Sequence, residues 1–176
     1  MINLIIYHYD DPEINEKIKQ LYLKVFGYNF DNFNWWYIDN PFGKSISGIA
    51  LDQNQVIGHW AVTPLPFAAD GERITELISL GAMIDQDYQG MGLFKKIAES
   101  LLQYLEDSGQ YNFIIGFPND NSLHVHLNNM AYVHVKDFSF VTFKNEKIPF
   151  VNDYREGNIP DDFLFFPCNS FEVFRD

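Results

Sequence analysis

Apolar residues recur along this chain with two different spacings, and the places where the spacing changes mark its elements. Ile2–Tyr9 carries little polar interruption and predicts a first strand. Asp10-Asp11-Pro12-Glu13 follows, with an Asp cap, a proline in the first turn and an acid beside it, the pattern with which helices begin. Ile14, Ile18, Leu21, Tyr22 and Val25 then share one helical face, and Gly27 ends it. Phe33-Asn34-Trp35-Trp36-Tyr37 is a short aromatic segment stopped by Asn40-Pro41-Phe42-Gly43. Its two adjacent tryptophans cannot face the same way on a helix, so one is expected inward and the other near a surface, cleft or partner.

Spacing then shifts toward that of strands. Ser45–Leu51 and Val56–Thr63 flank Asp52-Gln53-Asn54-Gln55, and a further strand around Phe67–Ala69 turns through Asp70-Gly71 into Arg73–Ile84. This is an antiparallel meander, which excludes a doubly wound dinucleotide fold whose early strands alternate with helices. Leu93, Phe94, Ile97, Ala98, Leu101, Leu102 and Leu105 restore the helical period, with Lys95, Lys96, Glu99 and Gln103 opposite and Gly109 at the end. Tyr111–Phe117 predicts a buried strand, parallel to Ile78–Ile84 because a crossover helix joins the two. Pro118-Asn119-Asp120-Asn121-Ser122 leads into a short helix to about Asn129, and Ala131–Lys144 alternates as a long strand. The remainder is rich in loops and aromatics, without repeats, and stops in mid-pattern at Val173-Phe174-Arg175-Asp176, as a fragment or a tail needing a partner would. The domains expected are therefore residues 1–144 and an aromatic-rich extension, 145–176, the possible start of a truncated second half.

Composition narrows the function classes. With 176 residues, 47% apolar and 17% aromatic, the chain suits one globular domain rather than disorder. No apolar run approaches the length of a membrane span, and no basic region precedes Ile2–Tyr7 as in a signal peptide. Cys168 is the single cysteine, which fits a reducing cytoplasm and excludes an internal disulfide. A net charge of −12 argues against sequence-independent nucleic-acid binding and sits comfortably with a neutral or cationic substrate. His124 and His126 lie two apart, wrong for one helix face, so no metal is expected there.

The stretch that carries chemistry is Gln89-Gly90-Met91-Gly92, between an apolar strand and a helix. The first helical N–H groups lack intrahelical partners and the aligned peptide dipoles favour an anion there. Lys95 and Lys96 occupy a first turn that usually favours acids, opposing the dipole by roughly a few tenths of a kcal/mol each. An arriving polyphosphate would account for them, as would plain solvation of an exposed face. The P-loop pattern fails, since no Lys-Ser or Lys-Thr follows the last glycine. So does the dinucleotide fingerprint, whose third glycine position holds Lys95 and whose next strand lacks a ribose-binding acid.

Gln89-Gly90-Met91-Gly92-Leu93-Phe94 instead resembles the Gln/Arg-x-x-Gly-x-Gly/Ala phosphate loop of the GNAT superfamily of N-acetyltransferases, except that Phe94 stands where Gly or Ala is usual. That ring must turn into the core, or the helix must stand slightly off the cofactor. The element order β-α-α-β-β-β-α-β-α-β over about Ile2–Lys144 carries the same resemblance. Trp36-Tyr37-Ile38-Asp39-Asn40-Pro41-Phe42-Gly43 with Gly116-Phe117-Pro118-Asn119 and Asn121-Ser122 is similar to a subgroup from polysaccharide and amino-sugar biosynthesis. The resemblance implies an α/β (α+β) fold: a mixed, mostly antiparallel central sheet flanked by helices, with a splayed pair of parallel strands. It implies acetyl-CoA as co-substrate, with backbone contacts at Met83 and Ile84, pyrophosphate contacts at Gln89, Gly90, Met91, Gly92, Leu93, Phe94 and Lys95, and Asn119 or Asn121 near the pantetheine arm. For either asparagine alone, turn formation and capping explain the residue as well.

Transfer in that family is direct attack of an amine on the thioester, which needs a base for the ammonium and benefits from an acid at sulfur. Glu76 is the base candidate the resemblance places on the central strand; by alternation it shares a face with Ile78, Leu80 and Ala82 unless a bulge resets the register. His59 is the second. The family's acid is often a tyrosine four residues before a Gly-Phe/Tyr pair, but Leu127 holds that position here, leaving His126 or Tyr132 as substitutes, or no dedicated acid. The expectation is an N-acetyltransferase acting on a small-molecule primary amine, an amino sugar by preference, with no nucleic acid or membrane partner and a possible homodimer or association with a missing C-terminal half. The alternative is a catalytically silent module that binds acyl-CoA or packs against a partner.

Overall fold

The computed structural model describes residues 2–69, 72–118, 120–129 and 132–134. Met1–Tyr132 forms one compact unit, and the fold is that unit's. The expected strand over Ala131–Lys144, its boundary with 145–176, the Asp70-Gly71 turn, Asn119 and Cys168 lie outside the described residues, Tyr132–His134 apart.

Strand β1 (Asn3–Tyr7) leads to helix α1 (Pro12–Phe26), capped by the Asp11 side chain on the Glu13 amide at 2.8 Å and closed by Gly27 with φ 81°. Helix α2 (Phe33–Tyr37) precedes β2 (Ile46–Asp52), β3 (Gln55–Ala69) and β4 (Glu72–Ile84). A 3₁₀ turn at Gln86–Tyr88 then opens onto α3 (Leu93–Ser108), followed by β5 (Ile114–Ile115) and α4 (Asp120–Asn129). The sheet runs β1-β2-β3-β4-β5, antiparallel throughout except for the parallel pair β4–β5. This is a mixed α/β sheet flanked by helices, as the element order predicts.

The two faces bury separate cores. Ile97, Leu101 and Leu105 of α3 pack with Trp60, Val62 and Leu77 on one side, while Ile18 and Leu21 of α1, and Phe33 and Tyr37 of α2, pack with Ile49, Ala61 and Met83 on the other. Helix α3 approaches the sheet closely at Gly48, where a Cβ would stand 2.9 Å from Ile97 Cγ2 and 3.0 Å from its carbonyl oxygen. That seat fixes the direction in which the helix's first turn points.

Three local expectations need correction. Residues 55–69 form one strand through Pro64 and Pro66, not two. Asn40 Nδ2 donates to the Pro64 carbonyl at 3.2 Å, so the Pro64 nitrogen also faces the edge that β2 leaves bare beyond Ile46↔Val62, where no ladder N–H is needed. Tyr111–Phe117 is not a buried strand: only Ile114 and Ile115 join the sheet, and Phe113 and Phe117 are exposed. The two tryptophans divide as expected: Trp36 packs inward against two core clusters while Trp35 lies partly exposed beside it, and the fully enclosed aromatics of α2 are Phe33 and Tyr37. The first strand ends at Tyr7 rather than Tyr9, whose φ of 59° turns the chain toward α1.

Candidate active site

The parallel pair β4–β5 joins only at Leu77↔Ile114 and Ile78↔Ile115. Beyond it, from Ser79 to Ile84, no described strand covers that edge of β4. The cause is a bulge. Pairing of β3 with β4 shifts between His59 and Ala61, and Gly81 takes φ 59°, a conformation a side chain would strain. Thus β4 bends away from β5 and leaves backbone groups facing a gap.

At the end of that gap lies the glycine loop. Gly90 and Gly92 have φ of 75° and 68°, and a Cβ on either would meet nothing within 4 Å. Both are therefore glycine for backbone conformation, the left-handed geometry from which anion-binding amide nests are built. No side chain caps α3, and the described residues offer no acceptor to the amides from Gly90 to Lys95; the first bond of the helix is Lys96 N–H to the Gly92 carbonyl. Gln89 is held by its side-chain donor on the Ile84 carbonyl at 3.2 Å. Phe94 turns toward the core, 6.2 Å from the Trp60 ring, so it does not obstruct the loop. Lys95 is exposed and 3.7 Å from Glu99, a pair worth little in water.

A pocket of about 410 Å³ adjoins the open edge, lined there by Ser79, Gly81, Phe117 and His126 and on its far side by aromatics of α1 and α2. His126 is 5% exposed; its Nδ1 lies 2.8 Å from the Ser122 carbonyl, so Nδ1 carries the proton and Nε2 is left as the acceptor. Tyr132 packs edge-on against it at 5.3 Å, and its buried hydroxyl has no well-formed hydrogen bond. Burial pushes that phenol up to about 12, against a smaller pull from Ser79. Ser79 in turn accepts the Trp60 indole N–H at 2.8 Å. A second buried hydroxyl, that of Tyr37, also lacks a partner among the described residues. Nothing in the residue pattern singled Tyr37 out; its neighbour Gly81 inside a strand was the available signal.

The four acid–base candidates separate into two groups. His126 lines the pocket, and Tyr132 packs behind it against the imidazole without lining the pocket itself. Glu76 and His59 do not line it. The Glu76 carboxylate, 1% exposed, accepts from the Asn112 amide at 2.7 Å, the Phe113 amide at 3.2 Å and Asn112 Nδ2 at 2.6 Å, tying the approach to β5 onto β4. His59 is fully enclosed between the Gly81 carbonyl and the Tyr9 hydroxyl, each at 2.7 Å, and burial pushes it down to about 4. Met83 is buried and Ile84 half-buried, so these offer backbone rather than side chains. Leu127, at the position where the tyrosine was expected, is exposed, and Asn121 lies in α4.

The family model described as Acetyltransferase (GNAT) family matches residues 12–132. No curated protein matches the chain. Among solved structures, an aminoglycoside acetyltransferase from an uncultured soil metagenomic sample, in complex with trehalose, aligns with a TM-score of 0.58 at 14% identity, covering 81% of this chain and 97% of its own. A predicted acetyltransferase with acetyl-CoA from Clostridium acetobutylicum aligns at 0.59 and 14%, covering 81% and 96%. Glucosamine-6-phosphate N-acetyltransferase from Arabidopsis thaliana aligns at 0.58 and 12%, covering 81% and 99%. These likenesses are of fold. Among the described residues no helix is long and apolar enough to cross a membrane.

Proposed function

Since the chain belongs to the acetyltransferase (GNAT) family, we propose that it moves an acetyl group from acetyl-CoA to the primary amine of a small metabolite, an amino sugar by preference. One observation carries this reading: unpartnered amides at the start of α3 lie at one end of an uncovered β4 edge, and a pocket lies beside that edge. The amides from Gly90 to Lys95 would receive the diphosphate, and the β4 edge up to Met83 and Ile84 the pantetheine arm. The acetyl group then comes to rest near Gly81.

His126 is the base in this reading. Its Nε2 takes the proton from the amine, whose nitrogen bonds to the acetyl carbon as the carbon–sulfur bond breaks. Tyr132, whose raised pKa keeps its proton at neutral pH, donates a hydrogen bond to the departing sulfur. Neighbours named for glucosamine 6-phosphate and for aminoglycosides have in common an amine on a sugar ring, and that shared feature alone supports an amino-sugar acceptor here.

Calorimetric titration with acetyl-CoA tests the reading. Micromolar binding is expected for the wild type and none for Gly92→Asp, which forces a side chain onto a φ of 68° and sets a carboxylate among the donor amides. Absence of binding to the wild type would overturn it. Binding without CoA release across a panel of amines would instead favour the silent acyl-CoA module.

A further inference from the structure

The pocket beside β4 extends away from Ser79 and His126 toward an aromatic wall of Tyr22, Phe26, Phe30 and Trp36. The wall is built as a unit: Tyr22 and Phe30 stack at 4.8 Å with planes 19° apart, and Phe26 lies 4.6 Å from Tyr22. Phe26 is 41% exposed, so the wall reaches the surface. Among the described residues, no Asp, Glu, Lys or Arg lines the pocket. Composition does not account for that, because the chain carries 24 acidic residues and a net charge of −12.

At the inner end stands Tyr37, 1% exposed. Its ring stacks on Tyr9 at 4.8 Å and 9°, and meets Phe33 and His59 edge-on, so it has little room to turn. Its hydroxyl reaches Gly81, where a Cβ would collide with it. Tyr9 beside it bonds His59, but the Tyr37 hydroxyl has no hydrogen-bond partner among the described residues. A buried hydroxyl without a partner costs stability that phenylalanine in the same space would not. The fold therefore keeps a polar group whose only evident use is toward something that enters the pocket.

We propose that this aromatic wall is the acceptor site, that the Tyr37 hydroxyl is the polar contact orienting the acceptor at its inner end, and that the acceptor is an unphosphorylated monoamino sugar. The proposal rests on the acetyl-transfer reading and sharpens it. Aromatic faces hold the axial-hydrogen face of a sugar ring and tolerate one ammonium. Several separated ammonium groups, or a phosphate, would be desolvated against this wall with no opposite charge among the described residues to meet them. Polyamines, polyamino aminoglycosides and sugar phosphates are therefore poor acceptors.

The test measures CoA release by the full chain with glucosamine, glucosamine 6-phosphate, spermidine and a polyamino aminoglycoside, for wild type and Tyr37→Phe. Glucosamine is expected to give a kcat/KM at least about tenfold above the others, and Tyr37→Phe to lower it about tenfold, the worth of one hydrogen bond. The same variant is expected to melt higher than wild type and to bind acetyl-CoA unchanged. Phe30→Leu should raise KM for glucosamine, also without moving acetyl-CoA affinity. A preference for the phosphorylated or multiply charged amines overturns the proposal and leaves acetyl transfer standing. So does Tyr37→Phe that melts higher with kinetics unaltered. Acetyl-CoA binding with no amine releasing CoA overturns both.

Discussion

Lowering the pH should unfold this protein in part through His59. The imidazole is 0% exposed, with Nδ1 and Nε2 each 2.7 Å from an oxygen. The Gly81 carbonyl can only accept, so Nδ1 donates to it, and Nε2 accepts from the Tyr9 hydroxyl. Protonating Nε2 would bury a charge among aromatic rings and oblige the Tyr9 hydroxyl to turn its own proton elsewhere in order to accept. Burial accordingly pushes the group down to about 4 from its ordinary 6.5. At about 1.36 kcal/mol per pH unit, that gap is worth about 3 kcal/mol. The sign follows from which state binds the proton: between those values the unfolded chain takes it and the folded chain refuses it. Stability from this group is full above about pH 6.5 and falls away as pH drops toward 4. Urea unfolding of wild type and His59→Gln at pH 7, 5.5 and 4 isolates the effect from the chain's many carboxylates. The wild type's advantage over the variant should shrink by about 3 kcal/mol from pH 7 to pH 4. A gap that stays constant over that range would refute the reasoning, as would an imidazole NMR signal from His59 that titrates near 6.5.

Two further predictions concern the other acid–base candidates. Glu76→Ala removes the acceptor for two backbone amides and one side-chain donor, and should cost about 2 to 5 kcal/mol in urea unfolding; a protein of wild-type stability that has lost kcat would make Glu76 a base instead of a latch. His126→Asn should lower kcat by about 100-fold while acetyl-CoA affinity in calorimetry stays put. Undiminished turnover would remove His126 from the mechanism.

Where local rules and the fold agree, the sequence was readable. Asp11-Pro12 opens α1 and Gly109 closes α3 because capping is decided within a few residues, and of the α3 stripe Leu93, Ile97, Ala98, Leu101 and Leu105 are buried while Phe94 and Leu102 are partly so. Gly90 and Gly92 were legible for the same reason: the glycine requirement is set by φ at that spot, not by distant packing. The misreadings share a different cause. Pro64 and Pro66 break a strand only if both edges are paired, and the length of β2, which leaves their edge bare, is a tertiary fact. Tyr111–Phe117 has the apolar run of a buried strand, but its partner bends away at Gly81, so only two of its residues find a ladder. Alternation put Glu76 on a face without showing that the Asn112 and Phe113 amides close over it. Tyr37 was unreadable as anything but one aromatic among several, since an unpaired hydroxyl exists only once everything around it has been placed. Three irregularities gather at one place: a strand that loses its neighbour, a glycine with positive φ inside that strand, and a buried hydroxyl with no partner among the described residues. A chain free to optimise stability alone would pair that edge and replace that tyrosine. Irregularity of this kind beside one pocket, in elements whose other positions follow local rules, is what a working site would impose on a fold.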